Sequence, residues 1–295
     1  MRVAEPGRVG VLAALLLATV TACSAPVRET RTPDAAPTRI VSINPCIDAV
    51  LREVADPAQI AGISHYSQDP RASSVPLDWA RRFAAIGDEA EDVIAARPDL
   101  VLAGPHVAPQ TVAALGRLGV RLVRLGVPAT VEDSKAQVGE IGRITGHEAR
   151  ARALNARIDA AIAASAPEDG GEGAPSALIW QDGGLVPGRG TLADELLVRT
   201  GFRSVSDTLA LAQWDMLSLE RLLSVDPDIV MTGNGGMDAG AAGAIGRHPA
   251  LRRAAAHITF SEFPSRMLHC GGPVIIDATA RLARIRRDWQ RRSGV

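Results

Sequence analysis

Two stretches of this chain are written on one pattern. Glu91-Asp92-Val93-Ile94-Ala95-Ala96-Arg97-Pro98-Asp99-Leu100-Val101-Leu102-Ala103-Gly104 aligns without gaps to Glu220-Arg221-Leu222-Leu223-Ser224-Val225-Asp226-Pro227-Asp228-Ile229-Val230-Met231-Thr232-Gly233. Each copy reads as a short helix, a Pro-Asp turn and an apolar strand ending in Gly. Proline stops the helix because it lacks an N–H and clashes with the preceding turn. Two copies are too few for a solenoid, which needs at least three stacked units. A duplicated helix–turn–strand therefore points to two related lobes that face each other.

The flanking sequence fits that plan. From Thr38 onward, short apolar runs alternate with amphipathic stretches. Strands are expected at Arg39–Ile43, Ile60–Ile63, Leu100–Ala103 and Arg121–Leu125, with helices at Ile47–Val54, Glu89–Ala96 and Pro109–Leu118. The second half repeats the order, with strands at Ala177–Trp180, Asp228–Thr232 and His257–Ser261 and helices at Leu192–Arg199, Leu219–Ser224 and Val274–Trp289. Such alternation is the signature of βα units around a mostly parallel sheet. Between the halves, Glu148 to Ala164 contains neither Gly nor Pro and reads as one helix. At about 1.5 Å per residue it spans about 25 Å, enough to bridge two small lobes. The expected class is α/β, with two lobes, each a mostly parallel sheet flanked by helices, joined by one long backbone helix.

The beginning of the chain reads as an address. Arg2 and Arg8 precede a mostly apolar run from Val9 to Val20, followed by Thr21-Ala22-Cys23. That run is short for a membrane-spanning helix and suits the core of a secretory signal. Val20-Thr21-Ala22-Cys23 resembles a bacterial lipobox, in which the cysteine is lipidated; ordinary cleavage a few residues later is the alternative. Ser24 to Pro37 is polar, rich in Pro and Thr, and suits a flexible tether. The organisation expected is a signal at 1–22, a lipid-anchored tether at 23–37, one α/β lobe at 38–130, a connecting helical segment at 131–168 and a second α/β lobe at 169–295. Formal charge is −1, from 32 basic and 33 acidic residues, so no field favours nucleic acid or an anionic membrane. Any contact with a membrane is then expected through the lipid alone.

Together these stretches resemble the helical-backbone, class III substrate-binding proteins of ABC importers for vitamin B12, ferric siderophores and haem. The resemblance covers about residues 38–291. It is carried by Arg39-Ile40-Val41-Ser42-Ile43-Asn44-Pro45, Ala61-Gly62-Ile63-Ser64-His65-Tyr66-Ser67, Arg97-Pro98-Asp99-Leu100-Val101 and the second-lobe copy above. It implies a monomer that captures its ligand between the lobes and hands it to a permease dimer. It also implies that Glu91 and Glu220 dock into arginine pockets of that dimer. Helix-start chemistry offers another account of both glutamates: Asp88 stands at capping-box spacing before Glu91, and Ser218 can cap the helix of Glu220.

Ligand-contacting groups are expected where strands end between the lobes. The resemblance matches Tyr66 and Trp214 to aromatic contacts of the vitamin B12 binders, and large rings suit a flat macrocycle. A further aromatic of those proteins would fall near Ala85, where Trp79 or Phe83 could fill the space. Arg189 and Arg266 are the candidates for holding an anionic iron chelate by paired hydrogen bonds. His65, His106 and His269 fall near the cleft, and an imidazole can ligate haem iron or cobalt. A bare zinc or manganese site needs several ligands from both lobes, and scattered histidines do not require one. No resident cofactor and no resident metal are expected, the metal complex being the cargo. Cys46 and Cys270 lie in cleft-facing loops of different lobes; separate thiols rank first, a bridge across the ligand site second, and ligation of metal or cobalt third. The sequence contains no Ser-centred nucleophile elbow, no His-Glu-x-x-His and no Walker loop, which argues against catalysis. An exported enzyme or scaffold on the same architecture is the competing class.

Overall fold

A computed structural model describes residues 36–168, 173–233 and 249–294. The export segment, Cys23, nearly all of the tether and the Gly170-Gly171-Glu172 loop lie outside the described residues. In chain order the elements are β1 (Ile40–Ser42), α1 (Pro45–Val54), β2 (Ile60–Ser64), α2 (Leu77–Ala80), β3 (Ala84–Ile86), α3 (Ala90–Ala95), β4 (Leu100–Ala103), α4 (Pro109–Arg117) and β5 (Arg121–Arg124). Two long helices follow, α5 (Val131–Thr145) and α6 (Glu148–Ser165). Beyond them come β6 (Ser176–Ile179), β7 (Leu185–Pro187), α7 (Leu192–Arg199), β8 (Arg203–Ser204), α8 (Val205–Thr208), β9 (Trp214–Met216) and α9 (Leu219–Val225). The described chain closes with β10 (Ile229–Thr232), α10 (Pro249–Ala254), β11 (Thr259–Glu262) and α11 (Val274–Ser293).

The strands divide into two separate parallel sheets, ordered β3-β2-β1-β4-β5 and β11-β10-β6-β8, plus an antiparallel β7-β9 ribbon. Strands β4 and β10 are the duplicated pair, and all four residues of each are buried. Helices cover both faces of such sheets, so the strands are near-continuous runs of Val, Leu and Ile. The strand expected from His257 begins instead at Thr259, because the His257 N–H is taken by the carbonyl of Ala254.

The bridging helix is α6, and α5 runs antiparallel along it. Gly146 makes the reversal possible with a left-handed φ of 79°, and Lys135 of α5 meets Asp159 of α6 at 2.7 Å. Thr130 and Asp133 start α5 with a reciprocal capping box. Helix α6 touches both halves: Arg157 pairs with Glu53 of α1 at 2.7 Å, and its C-cap carbonyl, Ala166, accepts from Arg286 of α11 at 3.4 Å. One apolar cluster runs from Ile40 and Leu51 through Ile141, Leu154 and Ile158 to Ile179, Phe263 and Leu282. The sheets therefore stand on a shared helical layer, with their strand ends opening onto a groove.

Candidate functional site

The groove begins where β1 hands over to α1. Asn44 caps that helix, its side-chain oxygen accepting from the Cys46 and Ile47 N–H groups at 3.0 and 3.2 Å, and Pro45 supplies the preset first turn. The end of β4 passes so close to Asn44 that a Cβ at Gly104 would lie 2.6 Å from its amide nitrogen. On the other side, the β7-β9 ribbon sets Trp214 opposite Pro187. There a Cβ at Gly188 would lie 1.8 Å from the Ala212 carbonyl oxygen, so only glycine fits the turn into α7.

Three adjoining hollows make up the groove. One of about 280 Å³ is walled by Val127, Leu192, Gln213, Trp214 and His269. Another of about 260 Å³ is walled by Asn44, Tyr66, Asp88, Gly104 and Val107, and His106 belongs to both. A narrow hollow of about 40 Å³ lies between, with Cys46, Pro128 and His269 around it. Tyr66 is 44% exposed and Trp214 39%, unusual openness for large rings and one on each side of the groove. Each carries a histidine: His65 stacks on Tyr66 at 4.0 Å between centroids, and His269 tilts against Trp214 at 5.7 Å. His65 is further held by Nδ1 against the Ile86 carbonyl at 3.2 Å. Partial desolvation in the cleft lowers the His269 pKa from the ordinary imidazole value, although the residue as a whole is exposed. A neutral ring with a free lone pair is the form that ligates iron or cobalt.

The cysteines correct their ranking. Cys46 and Cys270 form a disulfide, with Cα atoms 5.0 Å apart, and neither is a separate thiol. The bond ties the first turn of α1 to the loop before α11, at the base of the groove. Cys46 still borders the narrow hollow, and Cys270 is buried beneath it. Further contacts hold the loop before α11 to other parts of the first half: the Ser74 hydroxyl donates to the Arg266 carbonyl at 3.3 Å, and Gly272 N–H donates to Ser134 Oγ of α5 at 2.6 Å.

Neither arginine walls the three hollows. Arg189 turns away to an ion pair with Asp207, its Nε 2.7 Å from Oδ1, and Arg266 is exposed. Trp79 and Phe83 form a tilted pair at 4.8 Å and pack against the core, and neither walls the three hollows. Among the described residues, no three His, Cys, Asp or Glu side chains gather at metal-binding distance. Glu91 and Glu220 stand exposed in the first turns of α3 and α9. Ser218 caps α9 through the Arg221 N–H at 3.3 Å, but Asp88 does not cap α3. That helix begins one residue later, behind Glu89, which forms no side-chain cap. Asp88 instead faces the groove.

Sequence reasoning passed over Asp48. It lies fully buried in α1 beneath the Tyr66 turn, and burial pushes its pKa up to about 7 against the pull of the nearby Ser42 hydroxyl and of hydrogen bonds from Ser67 and Ser64. Its signal is an acid set among Ile47, Ala49, Val50 and Leu51, where a helix has no wet face to offer it.

The likenesses to known proteins follow this geometry. A cobalamin-binding protein of Halobacterium salinarum is 27% identical over 280 residues, covering 89% of this chain and 74% of the relative. A periplasmic haem-binding protein from Pseudomonas aeruginosa superposes with a TM-score of 0.68 at 25% identity, covering 85% of this chain and 92% of the other. The periplasmic vitamin B12 binding protein BtuF of Vibrio cholerae gives a TM-score of 0.63 at 14% identity, covering 86% and 98% of the two chains. The family described as periplasmic binding protein matches residues 40–258, from the first strand past the duplicated β10. Paired parallel sheets on a helical layer, a groove between their strand ends and a match that runs through both halves establish that this chain belongs to the periplasmic binding protein family.

Proposed function

We propose that this protein is exported, captures a corrinoid in the groove and delivers it to an ABC importer, with a haem or ferric siderophore as the next candidates. The observation that carries the reading is the pair of exposed rings, Tyr66 and Trp214, on opposite sides of a groove whose three hollows have no guanidinium in their walls among the described residues. A flat, largely apolar macrocycle covers such rings at little entropic cost, whereas an anionic chelate calls for paired arginine donors. The cobalamin-binding relative supports the same ligand class. His269 and His106 stand where an imidazole could reach the metal of such a cargo. In this reading Cys23 carries the lipid, the folded part works in the periplasm or at the cell surface, and Glu91 and Glu220 meet the permease.

Titration with cyanocobalamin, haemin and a ferric hydroxamate, followed by tryptophan fluorescence, tests the proposal. Cyanocobalamin should quench saturably, should be recovered unchanged, and should lose most of its quenching in Trp214→Phe. Saturation by haemin or the hydroxamate alone would reassign the cargo. Saturation by none of the three would overturn the capture role.

A further inference from the structure

The turn that presents Tyr66 is gripped from below by a carboxylate that is itself fully buried. Asp48 Oδ2 accepts from the Ser64 N–H at 3.0 Å and from the Ser67 hydroxyl at 2.6 Å. Those two donors bracket His65 and Tyr66 in the chain, so a single oxygen holds both ends of the two-residue stretch that reaches the groove. The turn has outer ties as well: Gln68 Nε2 donates to the carbonyls of Ala80 and Phe83 at 3.2 and 2.9 Å. Inside, among the described residues, Asp48 is the one side chain that joins its two ends.

This arrangement is expensive for a core. Among the described residues no hydrogen bond reaches Asp48 Oδ1, and a buried carboxylate carries a desolvation cost that an apolar side chain would not. An apolar residue at position 48 would complete the packing around Ile47 and Leu51 but would leave the Ser64 N–H and Ser67 hydroxyl unanswered. What the carboxylate adds is therefore the shape of the turn, and the turn's exposed product is the Tyr66 ring. The same first turn of α1 carries Cys46, whose disulfide reaches the loop of His269, the ring that touches Trp214. Asp48 thus sets one aromatic side of the groove from a helix that is covalently tied to the other.

We infer that Asp48 is a positioning residue for ligand capture: it pins Ser64 and Ser67 so that Tyr66 meets the ligand in a fixed pose, without touching the ligand itself. The inference rests on the reading of the groove as the ligand site. Tyr66 is the only tyrosine of the chain, so a fluorinated tyrosine reports on this turn alone by fluorine NMR. Wild type and Asp48→Asn, which keeps an acceptor, should each give one sharp resonance at nearly the same position. Asp48→Ala should split or broaden it and weaken cyanocobalamin binding about tenfold, while a Tyr66→Ala background should hide most of that loss. Should Asp48→Ala fail to fold, Ser67→Ala removes one of the two anchors and is read in the same way.

An unaltered resonance in the anchor-deleted variant overturns the inference with no ligand present. So does a double variant that loses the full product of the two single effects. Full affinity in Tyr66→Ala would remove the groove reading and this inference together. A loss in Tyr66→Ala with none in Asp48→Ala would remove the inference and leave the groove reading standing.

Discussion

Asp99 and Asp228 hold corresponding strands in the two halves by the same contact. Asp99, just before β4, accepts from the Thr38 N–H at 2.9 Å and from the Arg39 N–H at 3.1 Å, anchoring the entry to β1. Asp228, just before β10, accepts from the Ser176 N–H at 2.8 Å and the Ser176 hydroxyl at 2.7 Å, anchoring the start of β6. β1 neighbours β4 as β6 neighbours β10, both in parallel. The Pro-Asp of each repeat is thus a brace between adjacent strands as well as a helix stop. Removing either carboxylate leaves backbone donors to water at a sheet end, so Asp99→Ala and Asp228→Ala should each lower stability by about 1–3 kcal/mol in chemical denaturation. Losses below a few tenths would make the braces ornamental.

The duplication extends to backbone conformation. Arg97 and Asp226 occupy the same place in the two copies and both have left-handed φ, 48° and 50°. An L-residue there costs about 1–2 kcal/mol, partly offset in glycine by unfolded-state entropy. Arg97→Gly should therefore be neutral or raise stability by up to about 1 kcal/mol. Asp226→Gly should gain less, since Asp226 also meets His257 at 2.9 Å.

The disulfide joins positions 224 residues apart in sequence. By the chain-entropy account a closure of that size is worth about 5 kcal/mol, before any correction for residual structure. Reduction, or Cys46→Ser with Cys270→Ser, should lower the melting temperature and raise the ligand off-rate as the two loops part. Thiol reagents should reach Cys46 and Cys270 only after reduction, as peptide mapping would show.

Asp48 predicts a pH dependence with a definite sign. Its folded pKa of about 7 exceeds the ordinary 3.8, so the folded state binds this proton more tightly than the unfolded one. The stability so gained is complete at pH values below the ordinary pKa and is lost as pH rises through about 7. The total is on the order of 4 kcal/mol. Subtracting the denaturation profile of Asp48→Asn from that of wild type should isolate this slope; parallel profiles would contradict it.

Glu91→Ala combined with Glu220→Ala should leave cyanocobalamin affinity unchanged, because both side chains lie on exposed helix starts outside the groove walls. Uptake by cells should be lost. Reduced affinity in the purified double variant would refute the docking role.

Strands buried on both faces announced themselves as apolar runs, and Pro98 and Pro227 marked where their helices stop. Strand β3 was silent because Ala84 and Ala85 are exposed and only Ile86 is buried. The β7-β9 ribbon was hidden for a related reason: its pairing depends on a close approach at Gly188 rather than on side-chain alternation. Tyr66 and Trp214 stood out in a chain poor in aromatics. The ion pair of Arg189 was not legible, because Asp207, its partner, is distant in sequence. The Cys46–Cys270 bond could not be ranked correctly either, since loop positions do not fix a Cα separation across a groove.

That bond also makes the chain between its two ends a closed ring, with every strand of the two sheets except β1 inside it. A protease that nicks any exposed stretch of the ring leaves two pieces still joined through sulfur. A molecule working outside the cytoplasm, where no new copy can be synthesised beside it, would survive a first cut with both aromatic walls in place.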